Sequence, residues 1–427
     1  MARTLFVLLL SLVISLHSLA ATRLKEKLAQ LKDIASIETI NSEFAEKYIL
    51  SVKQPLSHKD TSKGAFMQRV VVCHAGFDRP TVIITEGYGG GYALNSGYRD
   101  ELSRLLNTNI VFVEHRFFQK STPDTINWTY LTAENSAFDL HHVRTLFKDI
   151  YPQKWISSGI SKGGQTTMIY RAFFPDDVDI SVPYVAPLCC GVEDGRHEAF
   201  LRKVGTRAER RQIKNFQLEA LKRKEALLPM MEEVCASKGL KFRIPLTEVF
   251  DYCVLEYSFA FWQWGTSFAS IPKATDSDST VFAHLADIAG PEYFSEEQST
   301  TPFFVQAARE LGYYGYDIRP FSKYMSIRTT EGYLSRIMLP RSALSVTFDD
   351  ALYHKIYSFL KENDPRMIFI YGETDPWSAV HAPVFKGKVN EQVFFQPRGS
   401  HRTRISSMPE RMRQKIVAQL NAWLEEN

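Results

Sequence analysis

The segment Trp155-Ile-Ser-Ser-Gly-Ile-Ser-Lys-Gly-Gly-Gln-Thr-Thr-Met168 constrains the fold most, because it reads as a short buried strand passing through a sharp glycine turn into a helix. Ser161 falls at the turn. In such an elbow the serine takes a strained backbone conformation that only small neighbours permit, and its hydroxyl stands above the sheet edge. Gly159 and Gly163 supply the room. Gly-x-Ser-x-Gly alone is a weak pattern. Context strengthens it: an apolar strand ends just before the turn, and a helix-compatible run, 165–174, follows and stops at Pro175.

Strands and helices alternate around this elbow. Residues 70–73, 81–85, 109–114, 155–158 and 180–185 are short β-branched or aromatic runs of the kind buried in a parallel sheet. Between the third and fourth, Ala133, Ala137, Leu140, Val143 and Phe147 recur at three- and four-residue intervals, which predicts a crossover helix within 131–151. From about 197 the pattern changes to long, strongly charged helices followed by aromatic clusters, Tyr257 to Trp264 and Tyr313 to Tyr316. The charges suit a solvated helix face, and the aromatics suit core or the apolar wall of a pocket. Two more buried strands are predicted at 367–371 and 392–395, and Ser407-Met-Pro-Glu410 has the spacing of a capping box before a last helix. The expected fold class is therefore α/β, an α/β-hydrolase sheet with an inserted, mainly helical cap. Its divisions are an N-terminal segment (21–67), a first core part (68–196), the cap (197–345) and a second core part (346–427).

Residues 1–20 read as a signal peptide: Arg3 precedes an apolar stretch, 5–16, and Ser18-Leu-Ala20 offers small residues for cleavage after Ala20. The apolar run is shorter than the roughly 20 residues a spanning helix needs, so export to a periplasmic or extracellular space is expected, without stable membrane insertion. Loss of Arg3 would take the net charge from +3 to +2, too small to point to a nucleic-acid partner. Five cysteines allow at most two disulfides; a bridge from Cys189 or Cys190 to Cys235 or Cys253 and a set of buried free thiols are the two readings. Cys-x-x-Cys and clustered histidines are absent from the sequence, so no metal and no cofactor is expected.

A serine hydroxyl needs a neighbouring base to attack a carbonyl, and the base needs a carboxylate that fixes its tautomer. On this fold the partners follow the serine in the order acid, histidine, each after a late strand. Asp375 follows the strand at 367–371, and His401 follows the strand ending near 395. Glu373 is a rival acid on the same loop, and Asp364 lies at the wrong end of the strand. Ser161, Asp375 and His401 are thus the expected catalytic residues. The oxyanion of a tetrahedral intermediate needs backbone donors. The expected ones are the amide of Lys162 and, from Thr85-Glu-Gly-Tyr-Gly-Gly-Gly91, that of Tyr88.

Gly159-Ile-Ser-Lys-Gly-Gly164, with Phe174-Pro-Asp-Asp-Val-Asp179 and Tyr184-Val-Ala-Pro187, resembles the secreted serine tripeptidyl aminopeptidases first known from actinomycetes. Glu114-His-Arg-Phe-Phe118 and Asp375-Pro-Trp377 are also similar to the prolyl carboxypeptidase and dipeptidyl peptidase family. The likeness runs over roughly 65–425, and Pro187-Leu-Cys-Cys190 departs from it. It implies a serine exopeptidase acting on peptide substrates, releasing tripeptides from a free N-terminus, with a tolerance or preference for proline near the cut. A dipeptidyl peptidase of the same mechanism and an extracellular esterase or lipase are the alternatives. An aminopeptidase must recognise a protonated amine, which calls for an acidic residue at the closed end of its cleft. Glu86, Glu114, Glu193 and Asp194 are the candidates.

Overall fold

The computed structural model describes residues 23–296 and 298–426, so the expected leader lies outside the described residues. Nine strands form one sheet in the order β1-β2-β3-β5-β4-β6-β7-β8-β9. They are β1 (Ile34–Thr39), β2 (Glu46–Pro55), β3 (Ala65–His74), β4 (Thr81–Thr85), β5 (Asn109–Val113), β6 (Trp155–Ile160), β7 (Ile180–Tyr184), β8 (Met367–Gly372) and β9 (Glu391–Gln396). Pairing is parallel from β5 through β4, β6, β7 and β8 to β9. The chain is an α/β-hydrolase in architecture.

The edge formed by β1, β2 and β3 differs from the expectation. The strand expected at 70–73 is the end of β3, which pairs antiparallel with both β2 and β5. A hairpin over 56–64 reverses the chain, and a connection that short joins only antiparallel strands. In β2 the side chains of Tyr48, Leu50 and Val52 alternate inward, the pattern of a sheet margin rather than of a doubly covered strand.

Helices cover both faces. Leu140, Val143 and Phe147 of the helix Ala133–Phe147 pack against Val70, Ile83 and Val111. Ile416, Leu420 and Trp423 of the last helix, Glu410–Glu425, pack on the opposite face against Val82, Ile110 and Ile156. No capping box opens that last helix. Ser407 instead accepts from the Arg404 amide at 2.9 Å and donates to Gln396 at 2.7 Å, because Pro409 directs the chain away from it.

Between β7 and β8 the described residues hold no strand. Helices Arg207–Lys222, Lys224–Ser237, Leu246–Trp264 and Asp278–Ala289 gather there around Phe216, Phe250, Tyr257 and Phe282, and Trp377 from the loop after β8 joins the same cluster. Most of the aromatic run of Leu246–Trp264 is therefore core. The cysteines are free thiols, four buried and Cys190 exposed, so no bridge ties the helical segment to the loop after β7.

Strand order fixes where a site can form. β4 has β5 on one side and β6 on the other, so the connections leaving β4 and β6 diverge and leave a crevice above their carboxyl ends. Those ends carry the loop beginning at Glu86 and the turn at Ser161. Gly159 permits their close approach: a Cβ there would lie 2.3 Å from the Gly163 carbonyl oxygen and 2.7 Å from that of Thr85. Both obstacles are backbone, so Gly159→Ala is expected to cost about 1–3 kcal/mol, read as a lower denaturant midpoint at unchanged slope. Gly191→Ala is the control, since nothing lies within 4 Å of its added carbon. Equal midpoints for the two variants would refute the steric account.

Candidate active site

Ser161 has φ 59° and ψ −121°, which places a non-glycine residue in a strained region. Its amide donates to the Tyr184 carbonyl of β7 at 2.9 Å, and the helix Lys162–Phe173 begins at the next residue. Sheet and helix together hold the turn that local preference disfavours. As the first helical residue, Lys162 has no intrahelical acceptor for its amide, so the N–H is free for a ligand.

Asp375 and His401 come together from the loops after β8 and β9. The Asp375 Oδ2 lies 2.7 Å from His401 Nδ1, with the carboxylate fully buried and the imidazole 5% exposed. Asp375 Oδ1 accepts from the Trp377 amide at 3.1 Å, which fixes the carboxylate plane. Thr374 ties the two loops by donating its amide and its hydroxyl to the Gly399 carbonyl, each at 2.8 Å. Glu373, the rival acid, accepts from the Arg398 amide at 2.8 Å and braces the histidine loop from outside. With Asp375 on Nδ1, the other ring nitrogen of His401 is the one left for proton transfer. Ser161 and His401 line one cavity of about 610 Å³ beneath the helical segment.

The loop after β4, expected to supply an oxyanion donor, is built differently from the expectation. The amide of Tyr88 donates to Glu86 Oε1 at 3.0 Å, as does that of Gly87, so neither is free. Tyr88 remains in the site through its side chain, which lines the same cavity as Ser161. Burial raises the phenol above its ordinary pKa and keeps it a donor. Its ring packs edge-on against Phe118 and Phe303.

Of the four acids expected to bind an amine, only Glu86 lines the cavity, and it is occupied by two loop amides and the Tyr92 hydroxyl. Glu114 is fully buried away from the cavity, where it meets Arg69, the Gly90 amide at 2.7 Å and the Ser121 amide and hydroxyl. Such a saturated carboxylate fixes the glycine loop and has nothing left for a substrate. Glu193 accepts from the Gly332 amide at 2.6 Å and faces a different hollow. Asp194 is held by Arg196, which keeps its carboxyl far below the usual range despite burial.

A further acid that lines this cavity, not singled out from the sequence, is Glu256 on the helix Leu246–Trp264. Glu256, Ala260 and Gln263 share the helix face that lines the Ser161 cavity. The signal was present: one carboxylate inside the otherwise apolar and aromatic run from Tyr252 to Trp262. Among the described residues no group of three or more His, Cys, Asp or Glu side chains could hold a metal ion.

The profile of the PS-10 peptidase S37 family matches residues 18–425. The chain belongs to that family. As an S37 peptidase it is a serine hydrolase of peptides. It is 27% identical over 412 residues to the prolyl tri/tetrapeptidyl aminopeptidase of Streptomyces mobaraensis, an alignment covering 94% of this chain and 84% of that protein. Solved structures resemble this S37 peptidase in outline. A proline iminopeptidase from Mycobacterium smegmatis has a TM-score of 0.39 and 10% identity, covering 88% of this chain and 98% of its own. A peroxisomal α/β-hydrolase from Saccharomyces cerevisiae has a TM-score of 0.37 and 11% identity, covering 92% and 90%.

Beside Ser161, Lys162 is 2% exposed and its ammonium donates to the Gly87 carbonyl at 2.7 Å. It lies 5.4 Å from the Phe118 ring centre and 5.8 Å from that of Tyr88. Burial pulls the lysine down to about 7 from 10.5, against the opposing pull of Glu86 and Glu310. Between those two values the unfolded chain holds a proton that the folded chain has released, so stability rises with pH there, while below pH 7 the full penalty applies. Lys162→Met removes this dependence. Wild type should gain about 2–4 kcal/mol on the variant between pH 7 and 10 in denaturant unfolding. A constant difference across that range would show that the lysine is not desolvated.

Proposed function

We propose that this peptidase is an exopeptidase that releases short peptides, tripeptides in the first instance, from the free N-terminus of its substrates through an acyl-enzyme on Ser161. One observation carries the reading. Ser161 and His401 line a cavity that the helical segment between β7 and β8 roofs with Glu256, Tyr293 and Phe304, while Glu86, Tyr88 and Trp377 from the loops after β4 and β8 complete its walls. A nucleophile beneath such a cap meets a chain end far more readily than the middle of a folded chain. The curated relative's name, a prolyl tri/tetrapeptidyl aminopeptidase, supports the same direction and a preference for proline beside the cut. The leader-like N-terminus supports export.

The chemistry follows from the side chains. Ser161 Oγ attacks the scissile carbonyl carbon while His401 takes its proton, and Asp375 stabilises the imidazolium. The oxyanion is met by the Lys162 amide and the Tyr88 phenol. Collapse passes the proton from His401 to the departing amine and leaves the peptide esterified to Ser161. Water, deprotonated by His401, then attacks the ester, and the serine leaves with that proton.

Mass spectrometry of products from a defined peptide tests the reading. Stepwise N-terminal tripeptides are expected; dipeptides would indicate the shorter cut, and internal fragments would overturn the exopeptidase assignment. Hydrolysis of acyl esters without any peptide turnover would favour an esterase. Ser161→Ala should lose fluorophosphonate labelling with its circular dichroism unchanged, and Asp375→Asn should lower kcat on the order of 10³- to 10⁴-fold.

A further inference from the structure

Glu256 is 5% exposed, and among the described residues it forms no ion pair. Tyr314 and Tyr316 both donate to its Oε2, at 2.9 and 2.7 Å, while Oε1 makes no hydrogen bond among the described residues. A buried carboxylate with one free oxygen is costly unless a cation or a proton answers it. Glu256, Tyr293, Tyr313 and Tyr314 all line the cavity that holds Ser161 and His401. The Tyr293 hydroxyl bonds those of Tyr313 and Tyr314, the latter at 2.9 Å, and Tyr314 in turn bonds Glu256, so the phenols and the carboxylate form one connected network on the cavity wall. Trp377 and Phe304 complete an aromatic surround on the same cavity.

We infer that Glu256, with the phenols of Tyr293 and Tyr313, is the anchor for the protonated α-amine of the peptide substrate. This deepens the exopeptidase reading and rests on it. An ammonium carries three donors, which the free Oε1 and two phenol oxygens can accept, and the aromatic faces favour a cation over a neutral amide. An N-acetylated terminus has no charge for the carboxylate and adds bulk at the anchor. Glu86 is less suited to this role, because both of its oxygens already accept hydrogen bonds, from two loop amides and from Tyr92.

The surroundings also give a pH signature. Burial raises Glu256 to about 7, against the two phenol hydrogen bonds that lower it. Tyr314, Tyr316, Tyr293, Tyr313 and Tyr333 face it from neighbouring segments, and each is held protonated by burial. Cys253 lies on its own helix and is raised likewise, and His197, which packs against Tyr314, is pulled down to about 4 and so stays neutral. Glu256 is thus the group in this nest that changes charge near neutrality.

The experiment compares a free-amino tripeptide anilide with its N-acetylated twin, using wild type, Glu256→Gln and Glu256→Asp. A fluorophosphonate label reports in each preparation whether Ser161 is assembled. Wild type should prefer the free amine, and the preference should rise as pH increases through about 7, until the α-amine itself deprotonates near 8. In Glu256→Gln the ratio of kcat/KM for the two peptides should fall about 30-fold or more, carried mainly by KM on the free amine. Glu256→Asp should fall between the two. A wild-type preference that persists unchanged in both labelled variants overturns the anchor and leaves the exopeptidase reading standing. If a variant does not label, a pH-independent wild-type preference overturns the anchor by itself. Equal wild-type rates on the two peptides overturn both.

Discussion

The strained turn at Ser161 depends on forces outside itself. A residue with a side chain at φ 59° and ψ −121° is held there at a cost of about 1–3 kcal/mol, which the neighbouring structure must supply. The supply is visible in the hydrogen bond to Tyr184, in the helix that starts at Lys162, and in the glycines that let β4, β6 and that helix touch at backbone distance. Everything else in the site is placed relative to this turn. The loop after β4 approaches it closely at Gly87, and the loops after β8 and β9 bring Trp377 and His401 to the cavity that Ser161 lines.

A second constraint is the scarcity of water around charge. Lys162, Glu256 and Glu310 are all desolvated, and burial moves the lysine down and the two acids up, toward neutrality in each case. Lys162 answers its burial with a carbonyl and two aromatic faces, and Glu310 accepts from the Ala133 amide at 2.7 Å. Glu256 has phenols on one oxygen and, among the described residues, no hydrogen bond on the other. That asymmetry separates a carboxylate that serves the fold, such as Glu114, from one with capacity left for a ligand.

Much of the candidate site around Ser161 was legible in the sequence as local structure. Small residues around a serine, an apolar strand before it and a helix after it form a local signature, since each part is set by neighbours within a few positions. Asp375 and His401 were legible for a related reason: each follows a strand whose apolar run marks its end, and strand ends lie at known places on a parallel sheet. The antiparallel margin was less so, because β3 has the same β-branched composition as the parallel strands and its direction is set by the hairpin before it.

The residues read wrongly share a different cause. Glu114, Glu193 and Asp194 were reasonable acids by composition, yet what a carboxylate can bind depends on which donors already saturate it, and those come from positions as distant as Arg69 and Gly332. Tyr88 was expected to offer its amide, but the neighbouring Glu86 captured that amide and left the side chain on the cavity wall with Ser161. Local spacing in the chain determined the elbow, the order of the functional loops and the alternation that builds the sheet. Only the folded structure decided which acid stands unpaired in the cavity, because pairing and desolvation are properties of groups brought together by packing and have no fixed separation along the chain.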